Sequence, residues 1–130
     1  MNRHFALLGT SSAAIGVGAG AFGAHALGTR LAPELLDVFE TAARYQMYHA
    51  LALLIVAVVA GRWPHVLVRA SGWLFVTGTL LFSGSLYALA LTGVRGLGAV
   101  TPVGGVCFLA GWLCLGMAAT RAPSPLRPSQ

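Results

Sequence analysis

The sequence predicts an all-α integral membrane protein, a four-helix bundle with an amphipathic helical segment leading into its second span. Three observations predict it. Residues 5–27, 45–61, 71–92 and 97–119 are apolar runs with no Asp, Glu, Lys or Arg inside them, and a helix crossing about 30 Å of hydrocarbon needs about 20 such residues. Charged residues make up only 8% of the chain and hydrophobic ones 57%, whereas a soluble domain carries about 25% charged residues to cover its surface. The links between the runs are short, as in an up-down bundle. At 130 residues the chain reads as one membrane domain over 1–120, followed by a proline-rich tail over 121–130 that is expected to be disordered.

The first run is rich in small residues. Ser12, Gly16, Gly20 and Ala24 recur every fourth position and predict a ridge that lets a neighbouring backbone approach closely, within the chain or at a subunit interface. Arg3 ahead of this run and Ala24-His25-Ala26 near its end imitate a secretory signal and its cleavage site. The run is long enough to span, so it is expected to be the first membrane helix.

Residues 33–44 form the amphipathic segment. Pro33 suits the first helical position, and Glu34 and Asp37 suit the positive end of the helix dipole. Glu34, Asp37, Glu40, Thr41, Arg44 and Tyr48 share one side, while Leu35, Leu36, Phe39, Ala42, Ala43 and Met47 share the other. The segment is expected to lie at the outer interface, or incline into it, before the second span descends. Glu40 and Arg44, four apart, are placed to pair.

Arg62-Trp63-Pro64 reads as an interfacial anchor and helix start for the third span. Thr101-Pro102 reads as the cap and first turn of the fourth. Ser83 and Ser85 suit interhelical hydrogen bonding, and Gly84, Gly104, Gly105 and Gly111 join the packing residues. Trp73 and Trp112 suit a belt or a packing role. His4 and His65 are expected to be solvated. Cys107 and Cys114 are seven apart on one helix, about 10 Å by helical rise and beyond disulfide reach.

The formal charge of +5 comes from eight basic residues against three acids, and all the basic residues are Arg. They stand singly at span edges, which fits topology and headgroup contact and not nucleic-acid binding. Arg3, Arg62, Arg69, Arg121 and Arg127 on one side outnumber Arg30, Arg44 and Arg95 on the other, so both termini are expected in the cytoplasm.

The residues able to carry chemistry gather near one end: His25, Glu34, Asp37, Glu40, Thr41, Arg44, Tyr45, Gln46, Tyr48 and His49. A structural reading has them neutralise Arg44 and fix where the second helix enters the membrane. A functional reading makes them a small outward-facing site for a ligand, ion or proton. His25 and His49 end one span and begin the next, so a haem held between them is a further option. No set of His, Cys and acids has metal spacing, and no catalytic motif is present.

Two blocks, Gly20-Ala-Phe-Gly-Ala-His-Ala-Leu27 and Phe39-x-Thr-Ala-x-x-Tyr-Gln-x-Tyr-His-Ala-Leu-Ala-Leu53, resemble the opening of the YgdD/YwdK-like family, also called domain of unknown function 423. Phe82-Ser-Gly-Ser-Leu-Tyr87, Leu91-Thr-Gly93, Thr101-Pro-x-Gly-Gly105 and Gly111-Trp112 are similar to its second half. The resemblance implies a small bacterial inner-membrane protein of four spans with no established activity, substrate or cofactor. It singles out His25, Thr41, Tyr45, Gln46, Tyr48 and His49. The resulting expectation is a non-enzymatic module, without cofactor, that binds a small or lipid-like ligand or a partner membrane protein. Two rival expectations are a small transporter or proton pathway through Tyr45, His49 and the Thr79/Ser83 region, and a haem or quinone redox subunit using His25 and His49. Expected partners are the lipid bilayer and either a second copy or another membrane protein.

Overall fold

The computed structural model describes residues 1–122. Four helices run in up-down order: α1 (Arg3–Phe22), continued by a π-helical turn (Gly23–Leu27), α2 (Pro33–Arg62), α3 (Val66–Thr92) and α4 (Thr101–Thr120), the last preceded by a 3₁₀ turn (Arg95–Ala99). Each of the four helical units is long and apolar enough to cross a membrane. Most of the tail expected to be disordered, residues 123–130, lies outside the described residues.

Helix ends follow local chemistry. Asn2 caps α1 by accepting from the Phe5 N–H, and Pro33 sits in the first turn of α2 with Glu34. Gly93 ends α3 at φ 72°, a left-handed position that favours glycine. Two caps differ from expectation. His65, expected to be solvated, caps α3 through Nδ1, which accepts from the Leu67 N–H at 3.2 Å. Thr101 makes no cap. Its hydroxyl instead pairs with the Ser85 hydroxyl across α3 and α4 at 2.7 Å, so the side chain serves packing and not its own helix end.

The amphipathic segment and the second span are not separate elements. The segment is the first three turns of one continuous helix of 30 residues, about 45 Å long. Its apolar face is covered by protein: Phe39, 3% exposed, packs with Leu27 of the π turn and Ala90 of α3, and its ring meets Tyr87 edge-on at 4.9 Å. These contacts hold the segment against the π turn and α3 as a continuation of the same helix.

Helices α2 and α3 are central. Helix α1 packs on α2 and α4 packs on α3. The main core holds Leu53, Val56, Val68, Phe75 and Phe108. Phenyl rings seat over glycines of the facing helix: a Cβ at Gly111 would lie 2.6 Å from the Phe75 ring, one at Gly78 2.5 Å from Phe108, and one at Gly72 2.5 Å from Phe5. A Cβ at Gly104 would overlap the Phe82 backbone. Small residues thus set the helix spacing, as expected where lipid gives no hydrophobic drive for association.

The ridge of α1 differs from the expected one. Gly16 packs under Gln46 and Met47, but a side chain at Gly20 would meet open space, and Ala24 is exposed. The glycines that face α2 are Gly9, against Ala50 and Leu54, Gly16, and Gly23, against Phe39. They are seven apart. A four-residue step drifts about 40° around a helix, whereas a seven-residue step drifts about 20° the other way. Only the latter follows a seam between two long, nearly antiparallel helices.

Candidate functional site

The expected polar cluster does not converge. Glu34, Asp37, Arg44 and His25 are exposed, Glu40 and Thr41 are half-buried, and none of them enters a side-chain hydrogen bond or ion pair among the described residues. Glu40 and Arg44 therefore do not pair. Gln46 and His49, both buried, point to different sides of α2.

Gln46 is turned toward α1 and α3. Its Nε2 donates to the Ser12 carbonyl at 3.0 Å, and its Oε1 accepts from the Tyr87 hydroxyl at 2.9 Å. One amide thus ties three helices, using both its donor and its acceptor.

His49 is turned toward α3 and α4. Its Nδ1 lies 2.8 Å from the Tyr45 carbonyl. A carbonyl only accepts, so Nδ1 carries the proton and Nε2 presents its lone pair. Trp112 donates its indole N–H to that Nε2 at 3.3 Å. The imidazole lies flat on the Phe108 ring, with centroids 3.4 Å apart and planes at 4°, and Phe75 stands 5.5 Å away. Both ring nitrogens are engaged. A haem iron needs a free nitrogen from each histidine, and His25 stands exposed on the π turn, outside this arrangement. Among the described residues no three of His, Cys, Asp and Glu converge on a metal-sized site.

Above His49 lies a groove of about 670 Å³ between α2 and α4. Phe82, Phe108 and His49 form its floor, and Tyr45, Tyr48 and Trp112 stand along its walls. It exists because α2 and α4 both pack on α3 and leave a seam between them, and because Gly105 puts no side chain into that seam. From the wall, the Tyr45 ring stands 4.7 Å from that of Phe82. The line from Tyr45 and His49 towards Thr79 and Ser83, the route a proton pathway would take, is packed with Phe75 and Phe108, 0% and 4% exposed. Thr79 donates to the carbonyl of Phe75 in its own helix, and the buried Ser83 hydroxyl has no partner among the described residues. The interhelical serine is Ser85.

Of the groove residues, Tyr45, Tyr48 and His49 belong to the cluster the sequence suggests and Gly105 to its helix-packing glycines, whereas Phe82, Phe108 and Trp112 are not singled out there as members of a site. The spacing Gly104-x-x-x-Phe108-x-x-x-Trp112 places a notch and two rings on one face of α4, a signal that could have found them. Cys107 and Cys114 are both free.

Comparison with known proteins agrees with this architecture. The family described as Protein of unknown function (DUF423) matches residues 19–105, from the end of α1 to the groove-lining Gly105. A UPF0382 membrane protein of Staphylococcus haemolyticus is 50% identical over 113 residues, which is 87% of this chain and 92% of that protein. A UPF0382 membrane protein of Staphylococcus aureus is 48% identical over 113 residues, 87% of this chain and 92% of its own length. The UPF0382 membrane protein YwdK of Bacillus subtilis is 44% identical over 120 residues, covering 92% of this chain and 98% of that protein. No solved structure matches the chain.

Proposed function

The chain belongs to the DUF423 family of membrane proteins, whose function is unknown, and from that premise we propose that it is a non-enzymatic module that holds a lipid-like molecule in the α2–α4 groove. The observation that carries this reading is the groove: about 670 Å³, walled by aromatic rings, on helices long and apolar enough to span a membrane. Its volume lies in the range of small-molecule sites, roughly 300–1,000 Å³. Its one buried titratable side chain, His49, is saturated by Tyr45 and Trp112. That supports an apolar occupant held by shape and stacking over a reaction at the imidazole.

We further propose a bacterial inner-membrane location with both termini in the cytoplasm. Among the described residues Arg3, Arg62, Arg69 and Arg121 stand at the end that carries the termini with no acid beside them, whereas Arg30, Arg44 and Arg95 share the other end with Glu34, Asp37 and Glu40. Arginine excess favours the cytoplasmic side. A C-terminal reporter active only outside the cell would reverse the orientation.

The test of the groove is native mass spectrometry of protein extracted with its lipids, comparing the parent with Gly105→Leu. A Cβ at Gly105 meets the Phe82 ring at an ordinary 3.9 Å, so the new side chain fills the groove without disturbing the helix. The parent should carry a retained apolar molecule and the variant should lose it. A bare parent, or equal retention by the variant, overturns the reading.

A further inference from the structure

We infer that the opposite end of the same α2–α4 seam is a binding site for an anionic phospholipid, with an acyl chain in an apolar crease and the phosphate between Arg62 and Arg121. A second cavity, of about 300 Å³, lies there between Ile55, Val59 and Trp63 on one side and Leu115, Ala118 and Ala119 on the other. It is distinct from the aromatic groove and shares no lining residue with it.

Two arginines adjoin its lining residues along the chain. Arg62 is the last residue of α2 and adjoins Trp63, and Arg121 follows α4 between the lining Ala119 and Ala122. Both are exposed, and neither side chain has a hydrogen-bond or ion-pair partner among the described residues. Two further arginines stand at this end. The Asn2 N–H donates to the Ala57 carbonyl at 2.7 Å and Met1 abuts Gly61, which brings Arg3 beside the end of α2. Phe5 packs against Gly72 and Trp73, which brings Arg3 and Arg69 to the same level. No carboxylate lies at this end among the described residues.

Trp63 completes the arrangement. Its backbone N–H closes the last turn of α2 on Val59, and its ring lies 4.6 Å from His65, the cap of α3. An indole that adjoins an arginine at a helix end marks headgroup depth. Guanidinium groups bind phosphate through paired charge-assisted hydrogen bonds. The aromatic groove has no such preference at its mouth, because Arg44 there shares α2 with Glu40 and Asp37. The charge asymmetry therefore assigns the anionic lipid to the Arg62–Arg121 end, and the apolar crease assigns a lipid instead of free phosphate.

The test is native mass spectrometry of the full chain in mixed micelles holding equal phosphatidylglycerol and phosphatidylethanolamine. The parent should retain phosphatidylglycerol over phosphatidylethanolamine by about fivefold or more. Arg62→Gln with Arg121→Gln should bring the ratio close to one, and Arg30→Gln with Arg95→Gln should leave it unchanged. Ala119→Leu, which fills the crease from an exposed position, should reduce retained phosphatidylglycerol without altering charge. Its result stands even where the double arginine variant fails to fold. Gly105→Leu should not affect the ratio, so failure here is distinguishable from failure of the aromatic groove. No preference in the parent, preference undiminished in the double variant, or retention unaffected by Ala119→Leu overturns the proposal.

Discussion

Tyr87 of α3 donates its hydroxyl to Oε1 of Gln46 on α2 at 2.9 Å, and the same amide reaches across to the Ser12 carbonyl on α1. The pair fastens the three helices at one level and leaves no polar atom of the Gln46 side chain unpaired. Gln46→Leu should destabilise the protein by about 1–3 kcal/mol, because it leaves the hydroxyl of the half-buried Tyr87 without its partner as well as losing two bonds. Tyr87→Phe removes one bond and should cost less, about 0.6 kcal/mol on the scale of membrane hydrogen bonds. Thermal unfolding in detergent checks both. Equal stability of Gln46→Leu and the parent would contradict the tie.

His49 should prove replaceable by another flat ring. It lies at 3.4 Å on Phe108 and is 5% exposed, so much of its contribution is shape. His49→Phe keeps that shape and should stay within about 1.5 kcal/mol of the parent. His49→Ala opens a cavity and should cost about 2–4 kcal/mol. In both variants the Trp112 indole N–H loses its acceptor, so its proton resonance should shift. An unmoved resonance would show that the His49–Trp112 bond is absent in solution.

The seam of α1 separates glycines that look alike. A Cβ at Gly9 meets the Ala50 carbonyl and the Leu54 side chain at 3.0 Å, whereas one at Gly20 meets nothing within 4 Å. Gly9→Leu should destabilise by about 1–3 kcal/mol through overpacking. Gly20→Leu should be neutral or slightly stabilising, since glycine costs about 1 kcal/mol relative to a good helix former. The reverse order in a denaturation series would restore the four-residue ridge.

Ser83 offers a substitution with the opposite sign. Its hydroxyl is buried and has no partner among the described residues. Ser83→Ala removes an unpaired polar group and should leave stability unchanged or raise it by up to about 1 kcal/mol. Ser85→Ala, by contrast, breaks the bond to Thr101 and should lower it. Melting temperatures of the two variants measured together decide the point, and a drop for Ser83→Ala would mean that this hydroxyl has a partner.

The sequence by itself determined the number of spans, their order and the helix start at Pro33. Bilayer thickness and the backbone's need for internal hydrogen bonds constrain these strongly. It also carried the family resemblance through Tyr45, Gln46 and His49. Only the tertiary structure decided which sides of the helices meet. Hydropathy cannot distinguish a face turned to lipid from a face turned to protein, because both are apolar. Glycine, alanine and serine lie on several sides of α1, so either Gly20 or Gly23 could have marked the seam until Phe39 was in place. For the same reason Gln46 and His49, three residues apart in a polar stretch, read as one cluster although they belong to two separate networks. The groove was equally hidden, because it lies between α2 and α4, which never adjoin in sequence and are held apart by their common packing on α3.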